Sequence, residues 1–190
     1  MLRLRCSTPP LWLPTVLQDL DAFLQDHAAN ERKVSASAIK LAVQHPHRQQ
    51  LVAAMIDLAR EELEHFQIVY QVLRQRGRAL AFDVPDPYMG ALQTALRKRD
   101  TDAYLLDRLL AFAVVEARAC ERFQLLGDAL DGQLQQLYRR LTRAEAQHHA
   151  LFTRLANAYF PADVVTARLD AILDAEAAIV TRLPLRPALH

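Results

Sequence analysis

Glycine is scarce in this chain, with four in 190 residues. A glycine inside a helix costs roughly 1 kcal/mol relative to alanine, so a chain this poor in it and rich in Ala, Leu, Arg, Glu and Gln favours long helices. Cysteine is scarcer still: only Cys6 and Cys120 are present. Two thiols so far apart cannot frame a disulfide scaffold, a zinc ribbon or a rubredoxin-type iron site, and they fit a reducing, cytoplasmic compartment. Long apolar runs are also missing. The opening MLRLRCSTPPLWLP is interrupted by Pro9, Pro10 and Pro14 and holds no stretch of signal-peptide length, so a soluble protein with no membrane partner is expected. Neither charge is in excess: 23 Lys and Arg against 22 Asp and Glu leave a formal +1. That balance neither demands nor excludes a polyanionic partner, which would need a local patch.

What is present is helical periodicity. The length suggests one domain over residues 1–190, with its core at about 13–160. Pro14 suits a first helical turn, and Val16, Leu17, Leu20, Phe23 and Leu24 then recur at helical spacing to about Asp26. A second stripe through Val34, Ala38, Leu41 and Ala42 ends at His45-Pro46, and its continuity with the first is open. A third helix, from about Pro46 to Arg76, stops at Gly77. Residues 78 to 87, with Pro85 and Pro87, read as a linker before a short helix at Tyr88 to Arg97. Thr101 or Asp100 can cap a helix to about Leu130, Asp131 one to about Tyr159, and Pro161 opens a last one.

Two Glu-x-x-His words lie on these helices, Glu62 with His65 and Glu145 with His148. Each is preceded on the previous long helix by a glutamate, Glu31 and Glu116, at nearly equal intervals. A spacing of three places Glu and His about 60° apart on one helix face, so both can reach one metal ion. Two such hairpins give four carboxylates and two imidazoles, the ligand set of carboxylate-bridged dinuclear bundles. Four negative carboxylates balance two divalent cations, and oxygen and imidazole donors suit iron or manganese better than structural zinc.

A single such word in a charged helix is usually a solvated face, but its place on the apolar stripe alters that reading. Glu62 falls among Met55, Leu58, Ala59 and Val69, whereas Glu61 and Glu64 fall on the polar side. Glu116 falls among Leu109, Phe112, Ala113, Cys120 and Phe123, and Glu145 among Tyr138, Leu141, Phe152 and Leu155. Glu31 has the weakest context, on a helix rich in small and polar residues. By coordination logic Glu62 and Glu145 bridge while Glu31 and Glu116 are terminal. His27 and His149 are candidates to support the ligands, and Cys120 reads as a small core residue. The fold expected is all-α, a ferritin-like four-helix bundle with additional N- and C-terminal helices.

Longer words surround the ligands: Asp26-His27-Ala28, Glu31-Arg32-Lys33, Leu58 to Phe66, Val115 to Phe123, Tyr138 to Leu141, and Glu145 to His148. Over roughly residues 13 to 160 the chain resembles the tRNA hydroxylases of the MiaE type. The resemblance implies an oxygen-dependent non-haem di-iron monooxygenase acting on the isopentenyl side chain of 2-methylthio-isopentenyl-adenosine, next to the anticodon of tRNA. It implies two iron ions held by Glu31, Glu62, His65, Glu116, Glu145 and His148, with dioxygen as co-substrate and an external electron donor. The partners expected are therefore tRNA and an electron-transfer protein, for a monomer or dimer.

Three short basic clusters, Arg74, Arg76 and Arg78, then Arg97, Lys98 and Arg99, then Arg139, Arg140 and Arg143, could track a phosphate backbone. Cations near helix C-termini are also favoured by the macrodipole alone. The alternative function is a ferritin-like di-iron oxidase handling iron or peroxide.

Overall fold

The computed structural model describes residues 2–98 and 101–190, apart from the side chain of Thr101. The cap expected at Asp100 or Thr101 and the cation Arg99 fall outside what is described. The described residues form seven helices and no strand: α1 (Trp12–Gln18), α2 (Leu20–Gln44), α3 (Gln49–Gln75), α4 (Pro87–Thr94), α5 (Thr101–Ala129), α6 (Gly132–Tyr159) and α7 (Ala162–Arg182). No described helix is long and apolar enough to cross a membrane. Two compact units divide the chain: residues 14–84 with 186–189, and the N-terminal residues to Leu13 with 85–185 and His190.

In the first unit α2 and α3 form an antiparallel hairpin. The apolar pattern suggested a helix ending near Asp26, but the break comes earlier, at Asp19, whose carboxylate accepts the Ala22 N–H at 3.0 Å. Aspartate competes for backbone donors in this way and so favours helix starts. From there α2 runs unbroken to Gln44 through the polar stretch that interrupts its stripe. Leu24 and Ala28 pack against Val69 and Leu73, flanked by Leu20, Phe66 and Val72. Each fully buried leucine or valine there contributes roughly 1.5–3 kcal/mol. Further along the hairpin, Ser35 Oγ donates to the Ala59 carbonyl at 2.7 Å. At the end of α3, Gly77 adopts φ 73°, and the Arg78 N–H reaches the Leu73 carbonyl at 2.9 Å, closing the helix with a residue free of a Cβ penalty.

In the second unit α5 and α6 form the second hairpin, and α7 packs on both. Leu105, Leu109, Leu110, Val114, Cys120, Phe123 and Leu126 of α5 are all fully buried. The pairs Phe112 with Phe152, Cys120 with Thr142, and Phe123 with Tyr138 step forward along α5 and backward along α6. That antiparallel register places Glu116, midway between Phe112 and Cys120, level with the stretch from Glu145 to His148.

Buried ion pairs hold the second unit together. Arg118, fully buried on α5, grips Glu176 of α7 through Nε at 2.8 Å and Nη2 at 3.1 Å, and also donates to the Cys6 carbonyl at 2.8 Å. Burial alone would lower the Arg118 pKa, but the hydrogen bonds and charge of Glu176 raise it above its ordinary value. Tyr88 of α4 donates to the same carboxylate at 3.2 Å. Nearby, Asp107 accepts from Arg168 Nε and Nη2, both at 2.7 Å, and from Arg97 N at 2.6 Å. Burial would raise the Asp107 pKa, yet the hydrogen bonds from Arg168 and Arg97 hold it below the ordinary carboxylate value.

Glu176→Ala removes the fully buried partner of Arg118 and leaves it only the partly exposed Glu121, so denaturant unfolding is expected to show a loss of about 3 kcal/mol, the low end for breaking a buried pair. The Asp107 contribution has a defined pH window: its folded pKa is depressed, so the stabilisation is present above the unfolded value and lost as pH falls through the folded one. The stability gap between the wild type and Asp107→Asn should accordingly be constant near neutrality and shrink in acid below about pH 4. A gap that grows on acidification would contradict this pairing.

Candidate metal centre

In the first hairpin α2 supplies Glu31 and α3 supplies Glu62 and His65. Their side chains converge because a hairpin in this register sets residue 31 level with residues 62 to 65. Glu31, Glu62 and His65 are 4, 1 and 5% exposed, whereas Glu61 and Glu64, on the same turn as Glu62, are exposed. The apolar stripe thus picked out the inward acid correctly. Each of the three presents a ligand atom within 4.8 Å of the others. His65 Nδ1 lies 3.4 Å from Glu62 Oε2 and 3.6 Å from Glu31 Oε2. Two donors bound to one ion at about 2.1 Å each stand roughly 3.0–3.4 Å apart, so this spacing fits a shared cation between them.

Glu31, the acid with the weakest sequence context, is held from its own helix. His27, fully buried one turn earlier on α2, brings Nε2 to 2.6 Å from Glu31 Oε1. Burial would raise the Glu31 pKa, but hydrogen bonds involving His27, His65 and Glu62 outweigh it and bring it down to about 2. The carboxyl is therefore a carboxylate across the physiological range, as a ligand must be.

The second hairpin buries the corresponding residues. Glu116 of α5 and Glu145 and His148 of α6 are 4, 2 and 2% exposed, and His148 Nδ1 lies 3.0 Å from Glu145 Oε2. The same nitrogen faces the same word's glutamate in both hairpins. Cys120 donates its thiol to the Thr142 carbonyl at 3.3 Å; burial first, then the charges of Glu145 and Glu121, push its pKa up to about 11. It is a protonated core residue, as its sequence context suggested. His149 borders an outer groove with Leu2, Thr153 and Arg154, and burial lowers its pKa. His27, weighed as a ligand support on its spacing from Glu31, does occupy that place.

Each hairpin thus buries two carboxylates and the imidazole of its Glu-x-x-His word. Oxygen and nitrogen donors of this kind suit iron or manganese and leave positions open for a small co-ligand. The basic clusters read from the sequence prove partly structural. Arg76 and Arg78 bind Asp21 at 2.5 and 2.6 Å, and Arg97 binds Asp107, whereas Arg139, Arg140 and Arg143 are exposed along α6.

Comparison with known proteins identifies the family. The family model described as tRNA-(MS[2]IO[6]A)-hydroxylase (MiaE) matches residues 2–190. The chain is 34% identical over 156 residues to the tRNA 2-(methylsulfanyl)-N(6)-isopentenyladenosine(37) hydroxylase of Pseudomonas putida, covering 82% of this chain and 76% of that one. It is 32% identical over 155 residues to the protein of the same name from Salmonella typhimurium, again covering 82% of this chain but 56% of that longer one. Among solved structures, a protein from Synechococcus described as having aldehyde deformylating oxygenase activity superposes with a TM-score of 0.93 at 32% identity, covering 100% of this chain and 96% of that one. The all-α fold is thus the ferritin-like one expected from the ligand spacing. With two buried Glu and Glu-x-x-His sets and a family match across nearly its whole length, the chain belongs to the MiaE family of tRNA hydroxylases.

Proposed function

We propose that the chain is an oxygen-dependent non-haem di-iron monooxygenase that hydroxylates the isopentenyl side chain of 2-methylthio-isopentenyl-adenosine in tRNA. The observation that carries this reading is the repeated, buried Glu plus Glu-x-x-His set in a chain of this family. In the proposal the two hairpins act as one domain, and Glu31, Glu62, His65, Glu116, Glu145 and His148 together hold two irons. Four carboxylates match the charge of two divalent ions, which removes the several kcal/mol that each unpaired buried carboxylate would cost. When bound, the irons would supply dioxygen activation: one oxygen atom enters a C–H bond and the other leaves as water, with two electrons drawn from an external donor.

The residues of the chain do the positioning. His27 fixes one oxygen of Glu31 at 2.6 Å, leaving Oε2 directed toward His65. The depressed pKa of Glu31 keeps it from competing as a proton source near neutrality. Burial of all six residues keeps bulk water away from the place where the irons would sit. The partners that follow are tRNA and an electron-transfer protein, and the compartment is the cytoplasm, where both are found; a monomer or dimer suffices for this chemistry.

A second reading, an aldehyde oxygenase, is favoured by the likeness to the Synechococcus structure. Iron-loaded protein given reductant and dioxygen separates the two. Nucleoside mass spectrometry of prenylated tRNA is expected to show a one-oxygen mass gain on the modified adenosine. No such gain, together with deformylation of an aldehyde, would overturn the hydroxylase reading. The ligand set is checked separately by metal analysis: Glu62→Ala and His148→Ala should each bind less iron than the wild type. Glu61→Ala, one position away and exposed, should bind as much, and full retention in both ligand variants would displace the centre from these residues.

A further inference from the structure

Between the end of α3 and Pro85, the chain is fastened to α2 at every second residue. The Gln25 side chain donates to the Ala79 carbonyl at 2.6 Å and accepts from the Ala81 N–H at 3.0 Å, and Arg32 binds Asp83 at 2.6 Å. The intervening residues Leu80, Phe82 and Val84 are 45, 99 and 58% exposed. A mobile loop can hide its apolar side chains, but a segment held through residues 79, 81 and 83 displays the alternate ones in place. An exposed apolar row of this kind marks a contact surface.

Beside it, a cavity of about 400 Å³ opens between α2, this segment and the C-terminal tail, bordered by Ala29, Lys33, Phe82, Val84, Arg186 and Pro187. The tail is pinned there by the Leu189 N–H, which donates to Asp26 Oδ2 at 2.7 Å. Of the acids at the cavity, Asp83 is paired with Arg32, while Asp26 accepts from the neutral Asn30 amide at 2.9 Å. Lys33 and Arg186 outnumber that remaining acid and make the cavity positive by one charge, and Arg186 Nη2, buried at the cavity, has no hydrogen-bond partner. A guanidinium nitrogen without an acceptor, next to a fully exposed aromatic ring, asks for a ligand with both a flat π-face and anionic oxygens.

We infer that this face docks single-stranded RNA, one unpaired base of the substrate's anticodon loop stacking on Phe82 while Lys33 and Arg186 meet its phosphate oxygens. Proteins read unpaired RNA bases by such aromatic platforms beside cations, and the cavity is large enough for a nucleobase. The inference rests on the tRNA reading above and names where that substrate is held.

The test uses the full-length iron-loaded protein and a prenylated anticodon stem-loop RNA, with binding read by fluorescence anisotropy and turnover by nucleoside mass spectrometry. Phe82→Leu keeps an apolar side chain but loses the ring, and is expected to raise Kd and KM about ten-fold, with the smaller part of the effect in kcat. Phe82→Tyr should restore both, and Val43→Ala, an exposed apolar residue elsewhere on α2, should change neither. Lys33→Gln and Arg186→Gln should weaken binding and flatten its salt dependence. Unchanged Kd and KM in Phe82→Leu, with tRNA still hydroxylated by the wild type, overturns the docking site and leaves the hydroxylase reading standing. A wild type that neither binds nor hydroxylates the RNA overturns both. Altered self-association or altered coupling to an electron donor in Phe82→Leu, with RNA affinity intact, assigns the face to a protein partner and also overturns the inference.

Discussion

Buried negative charge is the constraint around which this protein is built. Glu31, Glu62, Glu116 and Glu145 are each at least 95% removed from solvent, and a buried carboxylate without a counter-charge costs several kcal/mol. Elsewhere the chain meets that cost with its own cations: Arg118 holds Glu176, and Arg97 and Arg168 hold Asp107. Around Glu31 and Glu145 the close partners are imidazoles instead, His27, His65 and His148. An imidazole is a ligand as readily as a base, and it does not cancel a carboxylate charge near neutrality as a guanidinium does. In the proposed centre that charge is left for divalent metal, which would distinguish a functional cluster from a structural one in the same fold.

The hairpins make the constraint tolerable. Long helices in antiparallel register set one glutamate level with a Glu-x-x-His word in each hairpin, and all six residues lie within helices. Apolar packing on both sides of each ligand level, such as Leu24 and Ala28 against Val69 and Leu73, or Phe112 against Phe152, supplies the rigidity. The chemistry proposed for the centre demands such rigidity, because ligands on helices hold their geometry better than ligands on loops. Recognition of the substrate is placed, by contrast, on an irregular segment, where side chains can be displayed at little cost to the core.

Much of this was legible in residue spacing. Three-residue Glu-to-His intervals and the apolar neighbours of Glu62, Glu116 and Glu145 marked the inward acids, because helical periodicity ties sequence position to direction. The same rule failed at α2, where the apolar stripe lapses between Asp26 and Val34. His27, Asn30 and Glu31 lie on its buried face, so the functional residues themselves break the hydrophobic pattern. The linker at residues 78 to 87 was visible from its prolines, but its attachment to Gln25 and Arg32 was not, since pairing over more than fifty positions leaves no local trace.

By itself, then, the sequence determined the helical class, the two Glu-x-x-His words and the direction each faces, because these depend on intervals of three and four residues along one helix. Only the tertiary structure decided which cations are bound up in ion pairs, as Arg76, Arg78 and Arg97 are, and that His27 anchors Glu31. It alone showed that Phe82 stands wholly in solvent. These depend on which distant segments meet, and helical periodicity carries no information about that.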